Sequence, residues 1–276
     1  MSSLALWRIR WARQTDYGDV GMNFGRRVAI TSLFALTAVG LYAQGSSSPI
    51  RERSLPLSLR FAARKLGQRL LTPGKERSVI IGAIVHATGA PVRVQITHEV
   101  PGRIRIDEQS RPSLGISDSG PWKSGAALTP EDTDLLETFL NDSEEEFLAA
   151  QAGGMPTRFL GGGFRADDGR TTNYKGTFYD LHQTFPSVMP GRANNGAPKT
   201  YFLNSETAFL EQVRYRLTRA GRTTEVFVRI SNWQRFGGEW MPTLVERFEN
   251  GSSVLTLSVN AVAFSPKTND RLFDRP

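Results

Sequence analysis

The chain of 276 residues has no cysteine and three histidines, His86, His98 and His182. Without cysteine there is no disulfide, no thiolate metal ligand and no cysteine to be lipidated behind a hydrophobic segment. The histidines are not at metal-ligand spacing on a shared element. His86 and His98 fall on adjacent strands, with no carboxylate evident for a third ligand, so surface or strand-face histidines are expected and no metal or cofactor. No serine stands in Gly-x-Ser-x-Gly. The stretch "LGGGFRADDG" lacks the Gly-Lys-Ser/Thr ending and a following helix, which excludes a phosphate loop. Gly161, Gly162 and Gly163 read instead as a strand bulge or a place of close backbone approach. Asp167 and Asp168 precede Gly169 and read as turn residues. No nucleophile, metal or acid–base constellation rises from the sequence, so an enzyme is not expected. A basic strip interleaved with aromatics is also lacking, so nucleic acid is not an expected partner.

Long hydrophobic runs are scarce too. The one candidate, Val28 to Ala43, is sixteen uncharged residues behind Arg26 and Arg27. A spanning helix needs roughly 18 or more. A cationic head, a short apolar centre and small residues before a Ser-rich run form the pattern of a secretory signal peptide. The expected organisation is an extension over 1–21, a signal over 22–43, a linker over 44–56 and one domain over 57–276. Export to a periplasm follows; a retained segment anchored in the inner membrane is the alternative. Arg8, Arg10, Arg13, Arg26 and Arg27 against Asp16 and Asp19 supply three of the seven net positive charges, leaving about +4 beyond residue 43. A charge of that size does not specify a polyanionic partner.

Beyond the linker, "PLSLRFAARKLGQRLL" repeats Leu59, Ala62, Ala63, Leu66 and Leu70 at helical spacing, with Arg60, Arg64, Lys65 and Arg69 on other faces. This predicts a basic amphipathic helix, packed on a sheet or lying on a membrane surface. Three antiparallel strands follow, "SVIIGAIVHATG", "PVRVQITHEV" and "RIRIDE", then a long polar loop from Glu108 to Leu128. Thr129 and Pro130 open a long helix carrying Leu135, Leu136, Phe139, Leu140, Phe147 and Leu148 as one apolar stripe. Glu144 to Glu146 read as a solvated face, and Gly153-Gly154 as the stop. Strands with short turns run from Thr157 onward, about ten in all. Tyr174, Phe178, Tyr179 and Phe185 fall in one of them and read as strand core. In the last strand Leu255, Leu257, Val259, Ala261 and Ala263 share a face. The fold class is mainly β within α+β: a curved antiparallel sheet, an incomplete barrel, with helices over its concave face.

The tail, "KTYFLNSETAFLEQVRYRLTRAGRTTEVFVRISNWQRFGGEWMPTLVERFENGSSVLTLSVNAVAFSPKTNDRLFDRP", resembles the outer-membrane lipoprotein-sorting family of LolA-like half-barrels. The resemblance covers Lys199 to Pro276. It implies an incomplete barrel whose helix-covered hollow holds the acyl chain of a lipid or lipoprotein. It also implies a buried arginine that holds the helical lid closed, which the sequence alone does not place. The expected lining is Leu136, Phe139, Leu140, Val228, Ile230, Leu257 and Val259. The expected role is non-enzymatic acyl-chain binding, with contact to a membrane surface through the basic helix. The alternative is an exported interaction or structural domain with a packed core and no ligand.

Overall fold

The chain divides into two compact units, Met1–Gly45 and Ser46–Pro276. A computed structural model describes residues 55–66, 70–71, 77–86, 89–109, 111–154, 157–165, 178–184, 198–219, 221–265 and 271–274, all within the second unit. The signal-like segment, the extension before it, most of the linker, Asp167, Asp168, Tyr174 and Phe185 lie outside the described residues.

Twelve strands form one open antiparallel sheet. In chain order they are β1 (Arg77–His86), β2 (Val92–Glu99), β3 (Arg103–Glu108), β4 (Leu114–Ser117), β5 (Gly120–Lys123), β6 (Thr157–Arg165), β7 (Phe178–Thr184), β8 (Thr200–Asn204), β9 (Leu210–Arg219), β10 (Arg222–Phe236), β11 (Glu239–Glu249) and β12 (Ser252–Ser265). Their spatial order is β5-β4-β3-β2-β1-β12-β11-β10-β9-β8-β7-β6. Only the β1–β12 junction joins strands distant in sequence. The rest is hairpins, and the two-residue Asn250-Gly251 loop is a clear one: both residues take positive φ, as the tightest hairpin turns require.

Helix α1 (Leu57–Lys65) precedes β1; α2 (Pro130–Asn141) and α3 (Glu144–Ala152) lie between β5 and β6. The expected stripe of α1 is the buried one: Leu59, Ala62, Ala63, Leu66 and Leu70 are all 4% exposed or less. α1 therefore packs its apolar stripe inside the domain. Two apolar clusters cover the sheet. One joins α1 and α3 to β8, β9 and β10. The other joins α2 to β1 through β4, β11 and β12. Cross-strand register places Val213, Val228, Arg247 and Leu255 in one row and Ile230, Val245, Leu257 and Ile84 in the next, so both clusters line one face.

Several expectations are corrected. The Glu108–Leu128 stretch is not a polar loop. It holds the β4–β5 hairpin at a sheet edge, with Leu114, Ile116 and Trp122 buried; this raises the strand count from about ten to twelve. The single long helix is two, because Asp142 ends α2 and the Ser143 hydroxyl caps α3 by accepting from Glu146 N–H at 3.2 Å. Ala261 and Ala263 do not share the face of Val259. A bulge between Ile81 and Gly82 pairs Gly82 with Val259 but Ile81 with Ala261, and so flips the strand. Beyond it, Val262 and Phe264 pack against the core.

The triple glycine is a bulge as expected: register shifts flank Gly161, and a Cβ on Gly162 would meet Asp180 Oδ1 at 2.6 Å. The tail closes on a short turn, Arg271–Phe273, whose Phe273 is fully buried and whose carbonyl accepts from Trp122 Nε1 at 2.7 Å.

Candidate functional site

The helices are held over the sheet by a polar seam at the α2–α3 break. Thr129 starts α2 with a reciprocal cap, its hydroxyl accepting from Asp132 N–H while the Asp132 carboxylate accepts from Thr129 N–H. Burial pushes the Asp132 carboxyl up, but Lys123 and Thr129 outweigh it and hold it below its usual range. At the other end of α2 the chain reaches Asp142, which is 2% exposed. Its Oδ1 accepts from Lys199 Nζ at 2.7 Å, and its Oδ2 from the Tyr215 hydroxyl at 3.0 Å. The Lys199 ammonium also sits 4.0 Å above the Tyr215 ring centroid.

Arg247 on β11 completes the seam. Alternation on this strand puts Met241, Val245 and Arg247 on the core side, so a guanidinium occupies an apolar row. It is 4% exposed. Its Nη1 donates to the Thr138 hydroxyl of α2 and to the Tyr215 hydroxyl of β9, the latter at 3.0 Å, and lies 3.8 Å from Asp142 Oδ2. Its Nε and Nη2 donate to Glu249 Oε1 at 3.1 and 2.9 Å. Burial alone would disfavour this cation; Tyr215, Asp142 and Glu249 outweigh burial and keep it charged. Burial, and then the Asp142 charge, push both Tyr215 and Tyr201 above the usual phenol range, so both stay neutral.

The acidic run after the break is not a solvated face: Glu144, Glu145 and Glu146 are 2%, 6% and 8% exposed. Glu144 Oε2 accepts from Leu210 N–H at 3.0 Å, on the β9 side. Glu146 Oε1 accepts from Gly102 N–H at 2.7 Å and pairs with His98 Nε2 at 2.8 Å, on the β2–β3 side. The helical pair thus reaches both halves of the sheet through side chains within one turn of its break.

All three histidines stand on strands, as expected, but their surroundings differ from expectation. His98 and His182 are buried, and a carboxylate does stand near two of the three: Glu146 beside His98, and Glu108 Oε1 at 3.5 Å from His86 Nε2. These are separate pairs. Among the described residues no three metal-binding side chains gather. His182 lies between Phe147 and Phe159 with ring centroids at 6.0 and 5.0 Å. Burial drives its pKa down to about 4 against the opposing pull of Asp180, so it is neutral at pH 7.

Of the residues expected to line a hollow, Leu136, Leu140, Leu257 and Val259 meet in one cluster, with Phe139 packed against it. Val228 and Ile230 belong to the other, with Phe147 and Leu148 of α3. Val245 touches both. Phe178 is exposed, whereas Tyr179 is buried with Leu181 and Phe202 in a third, smaller cluster.

Sequence reasoning missed Asp142, Lys199, Tyr215 and Arg247. Two signals were present. Ser143-Glu-Glu-Glu146 is a helix-start pattern in the middle of a supposed helix. Arg247 falls in the core-side phase of "TLVERFE".

No family model matches the chain, and no curated protein does. Three crystal structures are similar to it in fold. One is an outer membrane lipoprotein-sorting protein domain from Vibrio parahaemolyticus, 11% identical, covering 77% of this chain and 94% of that one, with a TM-score of 0.48. Another is a LolA superfamily protein from Nitrosomonas europaea, 13% identical over 80% and 99%, TM-score 0.49. The third is a DUF1329 family protein from Desulfovibrio piger, 11% identical over 82% and 98%, TM-score 0.46.

Proposed function

We propose that this chain is a non-enzymatic exported protein that buries the acyl chain of a lipid or lipoprotein between its curved sheet and the α2–α3 layer. The observation that carries the reading is the polar seam. A layer that must open and reclose is poorly served by a wholly apolar contact. Here the break between the helices rests on Asp142, Lys199, Tyr215 and Arg247, whose charges regain hydration when the helices lift. That offsets part of the cost of exposing the apolar face. Arg247 is then the buried arginine that latches the lid. An acyl chain entering beneath α2 replaces that exposed surface at about 0.8 kcal/mol per CH₂. Leu136, Phe139, Leu140, Leu257 and Val259 would meet it first, with Val228 and Ile230 deeper under α3.

Residues 22–43 support export and a periplasmic location, with an uncleaved inner-membrane anchor as the alternative. Among the described residues no helix is long and apolar enough to cross a membrane. Native mass spectrometry of the purified chain reports the cut site directly.

The test is lipid extraction and native mass spectrometry of wild type and Phe139→Asp. A co-purified lipid present in wild type and lost in the variant supports the reading; equal lipid in both sinks it. A ligand-free wild type returns the alternative, an exported interaction domain with a packed core. The complete burial of Leu136 and Leu140 is the observation that favours that alternative.

A further inference from the structure

We infer that α1 docks on an anionic lipid bilayer through the face it turns away from the sheet. The apolar stripe that a membrane-surface helix would use is occupied: Leu59, Ala62 and Ala63 are wholly buried within the domain. Yet the helix has a second apolar pair. Leu57 is 80% exposed and Phe61, one turn on, is 49% exposed. The other large hydrophobics exposed among the described residues, Ile81, Phe159 and Phe178, are on strands.

Positions 57, 61 and 65 follow at i, i+4 and i+8 and so share a face. The Lys65 ammonium lies 5.5 Å from the Phe61 ring centroid. Arg64 is exposed beside it, and Arg60, whose Nε donates to the Leu55 carbonyl, ties the helix to the buried segment before it. Leu57–Lys65 contains three cations and no acidic residue. Two protruding apolar side chains offer far too little area for a stable protein interface, which buries about 800 Å² per partner. A bilayer has no such threshold, because apolar insertion and attraction to anionic headgroups add. This docking is independent of acyl-chain binding under α2.

The absence of cysteine makes the test clean. Leu57→Cys in the full chain gives a single site for a polarity-sensitive dye, with Ser253→Cys on the exposed side of β12 as control. Vesicles containing phosphatidylglycerol should blue-shift the dye at 57 and leave it unchanged at 253. Phosphatidylcholine vesicles or high salt should abolish the shift. Adding Arg64→Gln and Lys65→Gln should weaken binding about 25-fold, roughly fivefold per cation. Phe139→Asp should leave the shift intact, so this inference and the acyl-chain reading fail separately. No shift at 57, an equal shift at 253, or a shift that grows with protein concentration in the absence of vesicles would each overturn the docking.

Discussion

Lys199 Nζ lies 2.7 Å from Asp142 Oδ1, and neither side chain is more than 8% exposed. The pair joins the segment before β8 to the break between α2 and α3. Removing the anion leaves the Lys199 ammonium buried without its carboxylate and leaves Arg247 to Glu249. Removing Lys199 leaves Asp142 with Tyr215 and Arg247. Asp142→Ala should therefore cost about 3–5 kcal/mol, and Lys199→Met clearly less. Denaturant unfolding of the two variants checks the asymmetry. Equal costs would mean that Asp142 has no second partner of consequence.

His182 makes the fold sensitive to acid. Its folded pKa of about 4 is depressed from 6.5. Between those values the unfolded chain binds a proton that the folded chain does not, so stability falls as pH drops through that window and gains nothing from it above. The full shift corresponds to about 3 kcal/mol. His182→Phe, beside Phe147 and Phe159, removes this contribution. The variant should lose less stability than wild type between pH 7 and pH 4, measured by urea unfolding at each pH. Parallel losses would remove His182 from the account.

How much was legible follows from the range of the interactions involved. Period-two alternation, short turns and the α1 stripe are local, and they yielded the curved antiparallel sheet and the helices that cover it. The β4–β5 hairpin was lost because its strands are four residues each and the buried Trp122 bonds to the Phe273 carbonyl, far along the chain. The seam was lost for the same reason: Asp142, Lys199, Tyr215 and Arg247 are polar residues whose burial exists only after β8, β9 and β11 assemble. Charged residues on a helix read as solvated until the partner that desolvates them is known, which is why Glu144 and Glu146 were misread. The bulge that exposes Ala261 and Ala263 depends on the β1–β12 pairing, and no feature of β12 alone announces it.

Gly82 sits at that bulge. A Cβ there would come within 2.3 Å of the Ser258 carbonyl oxygen, a backbone atom that cannot move without parting β1 from β12. Gly82→Ala should cost about 2 kcal/mol or more. Thermal unfolding tests it; an unchanged midpoint would show that the two strands can separate there freely.

Phe273 closes the other side of the sheet. Its ring is fully buried, with the Arg77 and Arg103 guanidiniums 5.5 and 5.2 Å from its centroid, and those two cations share Glu99. Phe273→Ala should cost about 3 kcal/mol in denaturant unfolding, although the backbone carbonyl that accepts from Trp122 Nε1 is retained. A cost below about 1 kcal/mol would show that the ring contributes little to closing this side of the sheet.

On the proposed function, Arg247 holds the helical pair closed. Its guanidinium binds α2, through Thr138, and β9, through Tyr215, from a position on β11. In Arg247→Met the apolar row is restored, but both hydroxyls lose a charged donor. Hydrogen bonds to a charged group are worth about 1.5–3 kcal/mol, so amides of α2 and α3 should exchange about 10- to 100-fold faster. Those of β1 and β12 exchange only by global unfolding, from a higher opening free energy, and should stay slower than the helical amides in both proteins. Helical and strand amides that share one opening free energy would mean that the helices have no opening of their own. Exchange that slows would mean that the guanidinium destabilises the closed layer, and the latch would have to be sought in Lys199 alone.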